Sequence, residues 1–274
     1  MADRDPRHLS AEELRARIDT TKPHSARFWN YFVGGKDHYP VDRALGDQIK
    51  GIFPGLVDVA QTSRLFLGRA VTRLAREEGV RHFLDIGTGL PTADNTHEVA
   101  QRVAPDAHIV YVDNDPLVLA HARALLTSTP EGNTAYMDAD LYEPDAILEA
   151  AAPLLEAARP VALMLLNVLG HVAEYEQARE LVSRLMAGLP SGSYLVISDS
   201  TATSAGMVAA SEAYNLSGAV PYYVREVAEI AGFFDGLELL DPGITEVTRW
   251  RAEPGEQPET MAAVDAYCGV GRKP

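Results

Sequence analysis

Cysteine is almost absent: Cys268 is the only one in 274 residues. A lone thiol excludes an internal disulfide and any metal site built on a cysteine cluster. Basic residues are also scarce, with 24 Lys and Arg against 39 Asp and Glu and a formal net charge of −15. A chain this acidic repels a phosphate backbone, and no Lys/Arg-rich run breaks the pattern, so nucleic acid is not an expected partner. Long apolar runs are missing too. The longest, from Pro160 to Ala173, contains Asn167 and His171 and is too short to cross a bilayer. The first residues are charged and polar, without a signal-peptide pattern, so the expectation is a cytoplasmic protein away from membranes. The eight histidines are scattered with no His-x-x-x-His pair, and no metal is expected. What remains is ordinary for a globular enzyme: 46% hydrophobic and 23% charged residues, enough for one large domain or a core with a small accessory piece.

The informative stretch is Phe83-Leu-Asp-Ile-Gly-Thr-Gly-Leu-Pro-Thr92. A short apolar run meets an acid and then Gly87 and Gly89, as a buried parallel strand does where it ends in a nucleotide loop. Asp85 falls at the carboxyl edge of the strand, where ligands of open α/β sheets bind. Missing Cβ atoms at Gly87 and Gly89 allow a tight turn and a close approach of backbone to ligand. A lone Gly-x-Gly is a weak signal, but Ile109-Val-Tyr-Val112 follows as a second strand ending in Asp113, with a helical pattern between. A carboxylate there suits the two hydroxyls of a ribose. Together these form a mononucleotide-binding β-α-β unit.

Around that unit the chain divides in two. Residues 1 to about 75 have an all-helical rhythm: a capping-box helix after Ser10, an aromatic helix from Ser25 to Val33, then helices over Val41 to Ile52 and Thr62 to Glu78. Gly34-Gly35 stops the aromatic helix and places Lys36, Asp37, His38 and Tyr39 on one turn, next in sequence to Tyr31. Two readings stand for this segment: an aromatic helix packed on the core beside a solvated turn, or a cap over the ligand cleft. From residue 76 onward strands and helices alternate, which implies a mostly parallel sheet. Strands are expected at Arg81 to Asp85, His108 to Val112, Thr134 to Met137, Val161 to Leu166 and Ser193 to Ser198. The fourth is apolar throughout and so buried on both faces. Helices are expected at Gly206 to Ser217 and Tyr223 to Phe234. Strand-like stretches then follow at Leu237 to Asp241, Thr245 to Arg251 and Ala266 to Arg272, the late ones suggesting an antiparallel hairpin at the sheet edge.

The glycine loop discriminates between nucleotides. A dinucleotide site for hydride transfer wants a third glycine, and Thr92 stands in its place. The acid opens the motif at Asp85, and the capping box Asn95-Thr-His-Glu98 starts the helix after the glycines. These features favour S-adenosylmethionine, which has an amino group for Asp85, a ribose for Asp113 and no pyrophosphate. Asp140, after the third strand, is placed to accept from the adenine amine, and Leu141 to pack on its ring. Asn167, ending the fourth strand, faces the methionine moiety.

The order of these motifs resembles the class I S-adenosylmethionine-dependent methyltransferases. More narrowly, Ala26-Arg-Phe-Trp-Asn-Tyr-Phe-Val-Gly-Gly-Lys-Asp-His-Tyr39, Phe83 to Thr92, Val110-Tyr-Val-Asp-Asn-Asp-Pro116 and Phe233-Phe-Asp-Gly-Leu-Glu-Leu239 resemble the bacterial S-adenosyl methyltransferases, long grouped as a domain of unknown function. The similarity runs from about residue 22 to the end. It implies a seven-stranded Rossmann-like core with a helical N-terminal extension, S-adenosyl-L-methionine as cofactor and S-adenosyl-L-homocysteine as product. The cofactor set expected is Asp85, Gly87, Thr88, Gly89, Pro91, Asp113, Asn114, Asp140, Leu141 and Asn167.

Methyl transfer is an in-line displacement, so positioning and desolvation carry much of it, and a base is needed only for an acceptor that loses a proton. His171 is the candidate base, with Asp199, Tyr214 and the turn Asp37 to Tyr39 near the same mouth. The alternative for His171 is a backbone-bonded histidine at a helix start. The expected acceptor is a small molecule. A rival reading is a cofactor-binding protein without transfer activity, serving as a sensor or partner subunit. The acceptor atom and the oligomeric state stay open.

Overall fold

The computed structural model describes residues 18–125, 127–155, 159–252 and 263–274. The short helix expected after Ser10 and the loop expected from Glu253 to Glu259 lie outside these.

Three helices lead in: α1 (Ser25–Phe32), α2 (Pro40–Ile52) and α3 (Leu56–Arg76). Pro40 opens α2, where its missing N–H costs nothing. The sheet begins with β1 (His82–Ile86), followed by β2 (His108–Asp113), β3 (Asn133–Asp138), β4 (Val161–Leu166) and β5 (Tyr194–Ser200). Between them run α4 (Thr96–Val103), α5 (Pro116–Leu125), α6 (Pro144–Ala151) and α7 (Tyr175–Ala187). The chain ends with α8 (Ala205–Asn215), α9 (Val227–Gly232), β6 (Glu238–Leu239), β7 (Thr245–Glu246) and β8 (Ala266–Arg272).

The strand order is β3-β2-β1-β4-β5-β8-β6, with β7 also paired to β8. The first five strands are parallel, and β8 runs antiparallel to β5. This is the Rossmann-like arrangement expected. The eighth strand arises because β6 and β7 share one edge position, pairing with opposite ends of β8. The expected strand Thr245 to Arg251 stops at Glu246, and the chain turns to bury Trp250 edge-on against Phe66, ring centroids 5.4 Å apart.

Alternation assigns the two faces of the sheet. Phe83, Ile109, Met164 and Val196 share one apolar cluster with α1, α2 and α3, while Leu84, Val110, Leu163 and Leu195 share another with α6 and α7. The helical lead-in therefore has no core of its own and completes that of the sheet. The late helix expected from Tyr223 to Phe234 is shortened to α9, because residues 221–225 run extended: Tyr223 N–H donates to the Gly170 carbonyl, and Thr201 and Arg225 form a parallel bridge. Among the described residues no helix is long and apolar enough to cross a membrane, and none of their His, Cys, Asp and Glu side chains form a group of three or more able to hold a metal ion.

Candidate functional site

The strand order reverses between β1 and β4, so the loops leaving their carboxyl ends diverge and open a crevice. A cavity of about 380 Å³ lies there. Its wall includes Asp85, Gly87, Thr88, Gly89, Pro91, Asp113, Asn114, Asp140, Leu141 and Asn167, the whole cofactor set expected.

Asp85 is 5% exposed and accepts a hydrogen bond from the Thr96 hydroxyl at 2.6 Å. Burial pushes its pKa up to about 6, against the opposing pull of that hydroxyl and of the Arg64 guanidinium. Gly87 and Gly89 have φ of 73° and 65°, the left-handed region that glycine enters freely. A Cβ on Gly87 would lie 2.5 Å from the Val168 side chain, so the β1 and β4 loops touch through this missing atom. Asp113 accepts from the backbone N–H of Gly89 and of Asp115, both at 2.9 Å, and burial raises its pKa. Each oxygen keeps a second lone pair for a ligand. Helix α4 begins only at Thr96, with Glu98 accepting from Asn95 N–H at 2.8 Å, so no helix N-terminus is aimed from the glycines at a pyrophosphate.

On the next strand ends, Asn114 donates to Asp140 at 3.2 Å, and Asp140 also accepts from Tyr142 N–H at 3.0 Å. Leu141 is buried beside them. Asn167 holds a φ of 55°, which asparagine tolerates, with its N–H donated to the Ser198 carbonyl at 2.7 Å. Its buried Oδ1 has no partner among the described residues, an acceptor open to a ligand donor.

Nothing in the sequence singles out Arg64, which has no motif around it. It lies on α3, lines the same wall and donates to the neutral carbonyls of Ala93 (3.1 Å) and Asp94 (2.9 Å), while its buried Nε has no partner among the described residues. Burial lowers its pKa and Asp85 counters that, which puts the guanidinium within electrostatic reach of the carboxylate. An acid and a cation on one wall match the two ends of an amino-acid zwitterion.

His171 closes a short 3-10 turn, Leu169–His171, after β4. Its Nδ1 lies 2.8 Å from the Pro221 carbonyl, an acceptor, so Nδ1 carries the proton and Nε2 is left as an acceptor. Burial lowers its pKa, which keeps the ring neutral. His171 is backbone-bonded at the end of this turn, not at the start of a helix, and it lines the cleft. Arg225, 4% exposed, anchors the turn by donating to the Leu169 carbonyl at 2.8 Å and to that of Val172. Asp199 lies outside the cleft wall, buried and bonded to the Tyr222 hydroxyl, with its pKa pushed up to about 6 by burial.

The cap segment behaves differently from its most polar residues. Phe28, Trp29 and Asn30 of α1 line the cavity, whereas Tyr31, Lys36, Asp37, His38 and Tyr39 do not. Tyr31 donates to Asp47 at 2.5 Å on α2, and His38 packs edge-on against the Tyr31 ring. Lys36 is exposed. Asp37 uses its N–H on Asn30 Oδ1 at 3.0 Å and lies 3.9 Å from His121. Tyr39 packs with Leu90, Leu117 and Val118 beneath Arg27. The turn is polar because it ties helices together: fully buried Asp42 accepts from His24 N–H (2.9 Å) and Tyr39 N–H (2.8 Å).

Comparison with known proteins identifies the family. The family described as S-adenosyl methyltransferase matches residues 11–274. A DUF574 family protein from Streptomyces avermitilis shares 43% identity over 94% of this chain and 100% of that one, with a TM-score of 0.88. A candidate methyltransferase from Thermobifida fusca shares 35% identity over 92% of this chain and 95% of that one, with a TM-score of 0.85. A curated relative, the carboxy-S-adenosyl-L-methionine synthase of Trichlorobacter lovleyi, is 27% identical over 171 residues, 61% of this chain. The match spans 65% of that relative, just under two thirds of its length. The chain therefore belongs to the S-adenosyl methyltransferase family, whose methyl donor is S-adenosyl-L-methionine.

Proposed function

We propose that the protein transfers the methyl group of S-adenosyl-L-methionine to a small-molecule acceptor that loses a proton, with His171 as general base. The observation that carries the reading is the held tautomer of His171: Nδ1–H is committed to the Pro221 carbonyl, Nε2 is left as an acceptor, and burial keeps the ring unprotonated at neutral pH. When bound, the cofactor supplies an electrophilic methyl group on a sulfonium that departs as a neutral thioether. Asp113 would hold the ribose, Asp140 and Leu141 the adenine, and Asp85 with Asn167 the ammonium. Gly87, Thr88, Gly89 and Pro91 would follow the ligand with backbone, and Arg64 would take the carboxylate. His171 then receives the acceptor proton at Nε2, in a cleft lined on one side by α1. Residues 18–76 act here as a wall of the site, not as an independent domain.

Calorimetric titration with S-adenosyl-L-methionine, S-adenosyl-L-homocysteine and 5′-methylthioadenosine tests the cofactor half. Micromolar binding of the first two is expected. Arg64→Ala weakens both about 10- to 100-fold, the scale of one or two charge-assisted hydrogen bonds, yet leaves 5′-methylthioadenosine, which lacks the amino acid, within about twofold. Equal losses for all three ligands would remove Arg64 from the carboxylate. Binding without any turnover across acceptors would favour a sensor or partner subunit.

A further inference from the structure

The cleft wall is electrically lopsided. Its carboxylates and its guanidinium, Asp85, Asp113, Asp140 and Arg64, stand on or against the ends of β1, β2 and β3. The opposite side, past β4 and β5, is built by α1, α2 and α8, and among the described residues these helices contribute no Asp, Glu, Lys or Arg to its lining. Phe28, Trp29, Ile49, Met207, Ala210 and Tyr214 make up much of that side. Phe28 and Tyr214 pack ring to ring, centroids 4.9 Å apart. The two histidines nearby are engaged: His24 lies 3.0 Å from Asp115, and His171 is bonded to Pro221.

The charge that acts on Tyr214, buried Asp42, is already paired with Arg27 at 3.6 Å, so an ion placed here would be stripped of water with no unpaired opposite charge from α1, α2 or α8 to meet it, which is the costly case for burial. Neutral polar groups are nevertheless on offer. Among the described residues Asn30 Nδ2, Ser63 Oγ and Tyr214 Oη have no hydrogen-bond partner; all three atoms are buried, and their residues line the cavity. Buried donors left open in this way are satisfied by a ligand oxygen. Resting on the methyltransferase reading above, we infer that the methyl acceptor is an uncharged, largely apolar hydroxylated molecule, a phenol or alicyclic alcohol, bound between α1 and α8. Carboxylates, phosphates and ammonium compounds are excluded by the missing countercharges.

Three probes of one shape and different charge test this on the S-adenosyl-L-homocysteine-loaded protein at pH 7.5: 2-naphthol, 2-naphthoate and 2-naphthylmethylammonium, titrated calorimetrically. The neutral probe is expected to bind at least tenfold tighter than either ion. Ala210→Leu, which fills the α8 side, is expected to weaken 2-naphthol at least tenfold and to leave S-adenosyl-L-homocysteine within twofold. Either ion binding as tightly as 2-naphthol overturns the inference. So does 2-naphthol failing to bind at millimolar concentration, or being indifferent to Ala210→Leu. The three-probe ranking on the unmutated protein stands even if the variant does not fold. Loss of S-adenosyl-L-homocysteine binding by the unmutated protein would instead strike the cofactor reading, and the ranking can then be read without it.

Discussion

Asp85 sits where binding and stability conflict. Its carboxylate is buried at the edge of β1 with its pKa raised from 3.8 to about 6. The folded protein therefore binds this proton more tightly than the unfolded chain does. The resulting destabilisation is complete above pH 6 and is relieved as pH falls toward 4. Asp85→Asn removes the charge and keeps an oxygen for Thr96. It should stabilise the unliganded protein by about 1–3 kcal/mol at pH 7.5, with the gain shrinking through pH 6, as read by denaturant melts. The same variant should lose S-adenosyl-L-methionine affinity, because the ammonium loses its counterion. No gain at pH 7.5 would mean that Arg64 already neutralises the carboxylate. Gly87 is constrained in another way: Gly87→Ala meets both a positive φ and the Val168 side chain, and should abolish cofactor binding measured by calorimetry.

At the scale of elements, the turn Leu169–His171 is held by a segment distant in sequence. Residues 221–225 supply the Pro221 carbonyl to His171, the Tyr223 N–H to Gly170, and the Arg225 fork to Leu169 and Val172. Lysine keeps the charge but cannot reach two carbonyls from one planar group. Arg225→Lys should lower kcat while leaving the dissociation constant of S-adenosyl-L-homocysteine within about twofold. With any acceptor that turns over, the kcat/KM profile should fall on its acid side with a midpoint below about 6.5, since burial lowers the pKa of His171 and protonation blocks its base function. His171→Gln should remove that limb and cost about 10²–10⁴ in rate. An unchanged limb would assign the titration to another group.

At the scale of the whole molecule, helices α1 to α3 and the strands share one apolar cluster, from Phe28 and Phe66 to Phe83 and Trp250. Unfolding should therefore be a single transition by both calorimetry and circular dichroism. Ligand at one hundred times its dissociation constant adds about 2.7 kcal/mol. For a chain of this size that raises Tm by about 5 °C. Two separate transitions, with only the later one moved by ligand, would show that residues 18–76 fold on their own.

The amino-acid order alone was enough for the parallel core and for the residues that meet at one crevice, because both are written locally. An apolar run, an acid and two glycines recur within a β-α-β unit, and side-chain alternation sets which face each strand buries. That is why Asp85, Gly87, Gly89, Asp113, Asp140 and Asn167 are legible in the sequence, and all of them line the crevice. The other wall is nonlocal. Arg64 reaches the crevice from the middle of a long helix, and Arg225 anchors a turn more than fifty residues away. Composition left the polar turn Lys36 to Tyr39 open between a solvated turn and a cap; packing turns its side chains to helix junctions or solvent, while the plainer face of α1 lines the cavity. Chain packing places such residues. Burial, countercharge and an unpaired donor arise only when segments distant in sequence are brought together.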